Sequence, residues 1–296
     1  MRTNTIRTLG VCAGLAIVAG AAPLAGQGGA DPSLDRILKS AGQYVEQYEH
    51  AMAAVVARED YQQSVLADAR HLSGASSRTL RSDLLVFDAG SRGWVSFRDV
   101  YEVDGSSIRD HDQRLVELVS HFTPDSLQEI RRITAESARF NLNPPSMVIN
   151  RNINTPMTAL LFLRDASQAR STFTLGKPEQ IGDVRAVQVT FVEQAKPRLI
   201  ASGDGAPARG VFWIDPANGR VVRTQLDMTT ELQGQSVTTR IVVTYGKVAN
   251  VDVWVPVTMD ETYDMLQMLQ TINGHASYSN FRQFSVTVNE EGNRAQ

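Results

Sequence analysis

Histidine and acidic residues meet in one short stretch of the chain, where they could ligate a metal ion. His111 lies between Asp110 and Asp112, and His121 follows ten residues later. Imidazole and carboxylate groups are the ligands that zinc takes in hydrolytic sites. A metal-dependent hydrolase is therefore one hypothesis. We favour the alternative, a solvated hairpin end with no metal, because the chain has no His-Glu-x-x-His motif and no second matching cluster.

Other catalytic motifs are absent from the sequence. A serine hydrolase of the α/β type needs Gly-x-Ser-x-Gly, and phosphate loops and dinucleotide sites need their own glycine patterns. None of these occurs. The adjacent carboxylates Glu59-Asp60 and Asp260-Glu261 would face opposite sides of a strand, so neither pair can act together as acid and base. We predict surface charge at these positions, no catalytic residue and no cofactor.

Aromatic residues suggest binding without catalysis. Trp94, Trp213 and Trp254 all lie in predicted strands. Cavities for apolar ligands are lined mostly by apolar and aromatic side chains, so these three residues are candidates for such a lining. Tryptophans on strands are also common core residues. The sequence leaves both interpretations open.

A polar loop that runs directly into an apolar segment is the most unusual local feature. The asparagine-rich residues 150–156 precede Met157–Leu163. In an open barrel this segment could close the open side as a lid, with Leu161 and Phe162 in contact with a ligand. The alternative is an ordinary core helix that begins after Thr155-Pro156. Leu161 and Phe162 therefore join the tryptophans as candidate ligand-binding residues.

Strand patterns fill most of the remaining chain. We predict strands at residues 55–65, 80–87, 94–103, 171–176, 185–193, 210–214, 220–230, 237–245, 253–263 and 275–288. Asp104-Gly105 and Pro216–Gly219 have the residue types of tight reversals between antiparallel strands. One mostly antiparallel sheet with helices grouped early in the chain predicts the α+β fold class.

Helices are predicted before the sheet and within it. The first begins at Asp31-Pro32 and has apolar residues at helical spacing as far as Tyr48. A helical block at residues 114–164 contains a helix from Arg114, a second from Thr123-Pro124, and the apolar segment described above. We expect residues 31–289 to form a single domain and residues 290–296 to form a frayed tail.

The first 26 residues have the layout of a secretory signal peptide. Arg2 and Arg7 precede an apolar run from Leu9 to Ala22, and small residues follow. The run is shorter than the roughly 20 residues that cross a bilayer. We therefore expect cleavage after about Gly26, a periplasmic or secreted protein, and a mature chain without a membrane span.

Composition narrows the possible partners of the mature chain. The only cysteine, Cys12, lies in the apolar run, so the mature chain would have neither a disulfide nor a thiolate. A lipidated Cys12 is the weaker alternative, because Val11 is not the small residue that such a signal needs. Removing the two charges of Arg2 and Arg7 changes the net charge from -3 to -5. An acidic chain without a basic cluster is a poor partner for nucleic acid.

Residues 210–226 resemble a hairpin of the LolA-type outer-membrane lipoprotein carriers. Their sequence is Gly-Val-Phe-Trp-Ile-Asp-Pro-Ala-Asn-Gly-Arg-Val-Val-Arg-Thr-Gln-Leu. Further strands follow at residues 237–245 and 253–256, as in that family. The phrase Tyr-Ser-Asn-Phe-Arg at residues 278–282 also resembles the ending of a group of exported bacterial proteins. The resemblance to the carriers covers about the last third of the chain. It implies a curved, incomplete barrel around helices, with an apolar cavity for acyl chains. The chain is longer than a typical carrier, with residues 114–164 as the extra part.

Three functions follow from these observations, in order of preference. The first is a non-catalytic protein that binds an apolar or amphiphilic ligand, such as a lipid or an acylated peptide. The second is an interaction or scaffold module with a filled core that contacts an envelope protein. The third is the metal-dependent hydrolase at His111.

Overall fold

The structure is a computed structural model. It describes residues 33–53, 55–67, 76–88, 94–110, 114–115, 118, 126–145, 147–149, 151, 154–200, 205–249 and 251–283. The described residues all belong to one compact unit. Several predictions lie outside them: the signal peptide, Cys12, the Asp31-Pro32 helix start, His111, His121, Thr123-Pro124 and the tail.

The described part of the chain contains one antiparallel sheet, as predicted, but with eleven strands where ten were predicted, because the two-residue strand β4 was missed. The strands are β1 (Val55–Ala67), β2 (Ser76–Asp88), β3 (Trp94–Val103), β4 (Ser106–Ser107), β5 (Ser171–Ile181), β6 (Val184–Glu193), β7 (Arg209–Ile214), β8 (Val221–Leu232), β9 (Gln235–Gly246), β10 (Val255–Met265) and β11 (Gln270–Gln283). Their order is β4-β3-β2-β1-β11-β10-β9-β8-β7-β6-β5. The sheet is open, and the late strand β11 joins β1 to the strands of the second half of the chain.

Two of the predicted turns are confirmed. Asp104 and Gly105 both have positive φ, 50° and 80°, which is the backbone that a two-residue hairpin between β3 and β4 needs. In the β7–β8 turn, the Asp215 N–H donates to the Arg220 carbonyl at 2.8 Å. Gly219 has φ 76° there, and any Cβ on it would collide with the backbone of α1. Glycine at this position therefore lets the turn pack directly against the helix.

Helix α1 (Leu34–Met52) covers one face of the sheet, which we call the inner face. Its Ser33 side chain caps the start by accepting from the Arg36 N–H at 3.4 Å. The buried residues Ile37, Ala41, Val45 and Tyr48 recur every three or four positions, so they form one stripe against the strands. The Tyr48 ring lies edge-on to Tyr245 of β9.

The predicted apolar helix at residues 157–163 is buried on the inner face but takes a tighter form. Residues Thr158–Phe162 form a 3-10 helix, in which the Leu160 N–H donates to Met157 and the Leu163 N–H to Leu160. Such short pieces commonly adopt 3-10 geometry. We call residues 154–163 the inner segment.

Helix α2 (Ser126–Ala138) packs on the opposite, outer face and along the free edge of β3. Its Ile130 and Ile133 join Leu85 and Phe97, which alternate with the inward-facing residues of their strands. At the edge, the Ser137 hydroxyl accepts from the Val100 N–H at 3.1 Å. A short helix α3 (Asp165–Gln168) follows the inner segment.

Within the described ranges, no helix is long and apolar enough to cross a membrane.

Candidate functional site: a buried arginine–glutamate cluster

Four charged side chains lie buried together on the inner face, beside the apolar core. They are Glu59 of β1, Arg98 of β3, Glu261 of β10, and Arg151, which precedes the inner segment; we call these four residues the charged cluster. None of the four side chains is more than 10% exposed. Burial of four ionisable side chains together is uncommon, because any ion among them loses its hydration.

The prediction of surface charge at Glu59 and Glu261 is therefore wrong. Each glutamate alternates with an aspartate that faces outward, as a strand requires, so the prediction that each adjacent pair splits between faces holds. The inward members of the two pairs, Glu59 and Glu261, lie close to each other. Strands β1 and β10 both flank β11, which brings the two glutamates to the same part of the inner face.

Glu59 is fully paired with protein donors. The Nε and Nη2 atoms of Arg98 donate to its two oxygens, each at 2.7 Å. The hydroxyls of Ser82 and Tyr278 add bonds of 2.9 and 3.1 Å. Burial alone would lower the pKa of Arg98, but the charge and hydrogen bonds of Glu59 raise that pKa above its usual value. This half of the cluster is a complete bidentate ion pair, the strongest common geometry.

Asn154 of the inner segment connects the two halves of the cluster. Its Oδ1 and carbonyl oxygen accept from Arg98 at 3.0 Å each. Its Nδ2 donates to Glu261 Oε1 at 3.4 Å. The start of the inner segment is thus anchored to the charged cluster.

Glu261 lies among phenol groups. The Tyr61 hydroxyl donates to its Oε1, and the Tyr263 hydroxyl donates to its Oε2 at 3.0 Å. Burial raises the pKa of Glu261 to about 8, although the Tyr263 bond opposes this and the nearby Glu59 adds to it. A Cβ on Gly274 of β11 would lie 2.7 Å from this carboxyl group. Glycine there leaves room for Glu261 to point inward.

Arg151 is the incomplete member of the cluster. Its Nη2 donates to Gln63 Oε1 and to the Leu142 carbonyl, the latter at 3.1 Å. Its Nη1 lies 3.8 Å from Glu261 Oε1, which is beyond hydrogen-bond distance. Among the described residues, neither Nε nor Nη1 has a hydrogen-bond partner, although the side chain is 0% exposed. Burial lowers the pKa of Arg151 to about 10, so the guanidinium stays charged at neutral pH.

A cleft of about 50 Å³ opens beside the cluster, between α2, the edge of β3 and the inner segment. Its lining consists of Ser96, Phe97, Arg98, Thr134, Ser137, Ala138, Asn141, Arg151, Asn154 and Thr155. Two arginines and several neutral polar groups occur in this lining, but no acidic residue among those that the structure describes. The volume holds a few water molecules or one small polar group. The arrangement can therefore recognise a small group that accepts hydrogen bonds.

The structure separates the residues that the sequence proposed for ligand binding. Phe162 is fully buried in the inner core, with its ring centroid 4.6 Å from that of Phe191, whereas its neighbour Leu161 is half-buried. Trp213 faces outward and donates to Glu179 at 2.6 Å. Trp254 packs near Trp213, beneath the Arg220 guanidinium at 4.3 Å.

Trp94 begins β3, but its side chain lies outside the described part.

The described residues add no ligands to the metal site proposed at His111. Within the described residues there is no group of three histidine, cysteine or acidic side chains that could hold an ion. His275 pairs with the exposed Asp260 at 2.6 Å. His71, His111 and His121 lie outside those residues.

Sequence reasoning missed the charged cluster, although one signal pointed to it. The inward positions of β1 read Val55, Ala57, Glu59, Tyr61, with a single charge in an apolar series. Glu59 interrupts the apolar face of that strand, and a charge at a buried position needs a partner. The partner, Arg98, is 39 residues away.

Comparisons with known proteins give weak likenesses only. No protein-family model and no curated protein matches the chain. Among solved structures, an outer membrane lipoprotein-sorting protein domain from Vibrio parahaemolyticus is 14% identical, with a TM-score of 0.39, covering 84% of this chain and 95% of that one. A DUF1329 family protein from Desulfovibrio piger is 11% identical, with a TM-score of 0.37, covering 83% and 92%. MucB in complex with MucA(peri) is 8% identical, with a TM-score of 0.19, covering 86% and 98%.

At such TM-scores the likenesses carry no argument about function, which rests on the geometry of the cleft.

Proposed function

We propose that this protein is an exported, non-catalytic binding protein for an amphiphilic ligand. The ligand's polar end would enter the cleft at the charged cluster, and its apolar end would reach the inner core. The sheet would act as the curved half-barrel that the sequence resemblance implies, and export would follow from the signal-peptide layout of residues 1–26.

The observation that carries the proposal is the course of the inner segment. At one end, Asn154 and Thr155 line the polar cleft. At the other end, Phe162 packs against Phe191 in the apolar core. One continuous stretch of ten residues therefore spans a polar site and an apolar site, the same two environments that an amphiphile needs.

Between its anchored start at Asn154 and its buried apolar end, the inner segment makes two further polar contacts. The Tyr245 hydroxyl donates to the Pro156 carbonyl at 2.6 Å, and the Thr155 and Thr158 hydroxyls lie 3.0 Å apart. If the segment lifts, the tail of the ligand takes the place of Phe162 on the inner face. Burial of the tail against apolar residues would offset the lost contacts.

The scaffold function is the second candidate, because the inner face is already filled. Helix α1 and the rings of Phe162, Phe191 and Phe212 occupy it, with the last two stacked at 4.9 Å. A protein of this kind would use its surface and carry no ligand inside.

Native mass spectrometry after gentle purification separates the two candidates. The binding function predicts a co-purifying amphiphile and saturable binding of a fluorescent fatty acid. Replacing the half-buried Leu161 by serine should weaken that binding while the protein stays folded. Replacing Leu266, which is 73% exposed, by serine is the matched control and should change neither probe binding nor folding. Absence of both a bound amphiphile and probe binding would leave the scaffold function.

Phe162→Ser tests the lid more severely. Because this ring is fully buried, the change should destabilise the fold as well as weaken binding. A large stability loss with unchanged probe affinity in the folded fraction would reject the lid.

A further inference from the structure

We propose that the cleft is a binding subsite for an oxyanion, in which Arg151 pairs with the negatively charged head group of the ligand. The inference rests on the proposed function and names the class of head group that the same site would take. A carboxylate and a phosphate share this chemistry.

The hydrogen bonds of Arg151 give the first support. Buried donors nearly always find a partner, yet its Nε and Nη1 have none among the described residues. Its Nη2, by contrast, is held by Gln63 and the Leu142 carbonyl, which fix the guanidinium in place. The side chain is thus positioned in advance, with free donors at a cleft that it lines.

The distribution of charge gives the second support. The cluster contains two guanidinium groups, and Arg98 is fully engaged with Glu59. Glu261 lies 3.8 Å from Arg151 and takes its hydrogen bonds from Tyr61, Tyr263 and Asn154 instead. The cleft lining has no acidic residue among those described. An incoming anion would therefore meet a guanidinium that has no hydrogen bond to a carboxylate among the described residues.

The neutral part of the lining suits an oxygen-rich group. The Ser137 hydroxyl and the side chains of Asn141 and Thr155 lie around the same space. The Thr134 hydroxyl also lines it but donates to the Ile130 carbonyl at 2.8 Å. Hydroxyl and amide groups can donate to the second and third oxygens of an anion. A volume of about 50 Å³ admits a head group, while an acyl chain has to lie elsewhere. That division agrees with a tail on the inner face.

The first experiment compares a fatty acid with the fatty alcohol of the same chain length, at pH 7. Hydrogen bonds to charged groups are stronger than neutral ones, so the wild-type protein should bind the acid at least tenfold more tightly. In Arg151→Met the two affinities should become nearly equal, and Arg151→Lys should keep part of the preference. Arg240→Met, which alters an exposed arginine on β9, should behave like wild type.

An alkyl phosphate of the same chain length distinguishes the sources of the oxyanion. Tighter binding of the phosphate than of the carboxylate would assign the subsite to a phosphate head group, and the reverse order would assign it to a carboxylate. Either order of affinities supports an oxyanion subsite, provided that Arg151→Met abolishes the difference between the two ligands.

The second experiment uses acetate alone and does not depend on any tail. Sodium acetate should raise the melting temperature of the wild type more than sodium chloride at equal ionic strength, and this difference should vanish in Arg151→Met. Circular dichroism checks that the variant is folded.

Equal binding of acid and alcohol by the wild type, or an acid preference that persists in Arg151→Met, would overturn the inference. If no amphiphile binds but acetate still acts through Arg151, the proposed function fails while the oxyanion subsite stands. If acetate has no effect either, the cleft holds only water and both are rejected.

Discussion

Two neighbouring regions of the inner face are buried to the same extent by opposite chemistry. Over β6 and β7, Phe162, Phe191 and Phe212 stack with centroids 4.6 and 4.9 Å apart. Over β1, β3 and β10, the charged cluster takes the same depth of burial. Apolar burial stabilises a fold by about 25 cal/mol per Å², whereas buried ions cost several kcal/mol each before pairing. The aromatic stack can therefore be explained by stability alone, and the cluster cannot.

The cluster itself divides in a way that sharpens this contrast. The Glu59 carboxylate accepts four hydrogen bonds, two from Arg98 and one each from Ser82 and Tyr278. Arg151 keeps open donors and lines the cleft. Both arginines line the cleft, and Arg151 is the one of the two with donors that a bound group could use.

The largest expected effect comes from single truncations in the two regions. Phe162→Ala should cost about 3–5 kcal/mol by leaving a cavity in the stack. Arg98→Ala should cost a similar amount, about 3–5 kcal/mol, because it leaves Glu59 buried without its counter-ion. Urea unfolding followed by circular dichroism measures both. If Arg98→Ala lowers the free energy of unfolding by less than about 1 kcal/mol, water reaches the cluster and the two regions do not differ as described.

Replacing a glycine by alanine should lower stability by a smaller amount, and the loss should differ between the two regions. Overpacking usually costs about 1–3 kcal/mol. In Gly210→Ala, the new Cβ meets the backbone carbonyl of Gln225 and the ring of Phe191, and the strand backbone cannot yield. In Gly274→Ala, it meets the side chains of Glu261 and Tyr61, which can shift. Gly210→Ala should therefore be the more damaging, and the opposite order would show a cluster more rigid than the aromatic core.

The cluster should also make stability depend on pH in a way that the aromatic core cannot. The pKa of Glu261 is about 8 in the folded chain against an ordinary 4.5, so only the folded state holds this proton between those values. Stability should then fall as pH rises from about 4.5 to about 8, by at most ~1.4 kcal/mol per pH unit. Urea titrations at several pH values measure the slope.

Glu261→Gln should flatten that slope, because the amide does not titrate. Glu231→Gln, which alters an exposed glutamate, should leave it unchanged. A slope that survives Glu261→Gln would assign the proton to another group.

The smallest expected effect is that of replacing the ion pair as a unit. Glu59→Gln combined with Arg98→Met keeps the volume and removes both charges. Replacing a buried ion pair by neutral groups of similar size is often neutral or stabilising, so the loss should stay below about 1 kcal/mol. The single variant Arg98→Met is the control and should lose more. If the double variant loses as much as the single one, the ion pair is itself a major source of stability.

Local patterns in the sequence predicted the sheet well because strands and turns depend on nearby residues. The bounds of β3, Trp94–Val103, agree with the prediction, and Asp104-Gly105 forms the expected turn. β11 begins at Gln270, five residues before the predicted start, because Ile272 is the one large apolar residue among those five and so gives no apolar alternation. The inner segment was predicted to be buried, but its 3-10 form was not, since both forms share the same apolar composition.

The sequence by itself determined the alternation of each strand, and with it that the two members of Glu59-Asp60 and of Asp260-Glu261 face opposite sides. It also determined the turns, whose positive-φ positions need Gly or a small polar residue. Only the tertiary structure decided that Glu59, Arg98, Arg151 and Glu261 meet. Those contacts join strands as far apart in the chain as β1 and β10, and depend on β11 pairing with both. No local pattern encodes that pairing, because the register between distant strands is set by the packing of the whole inner face.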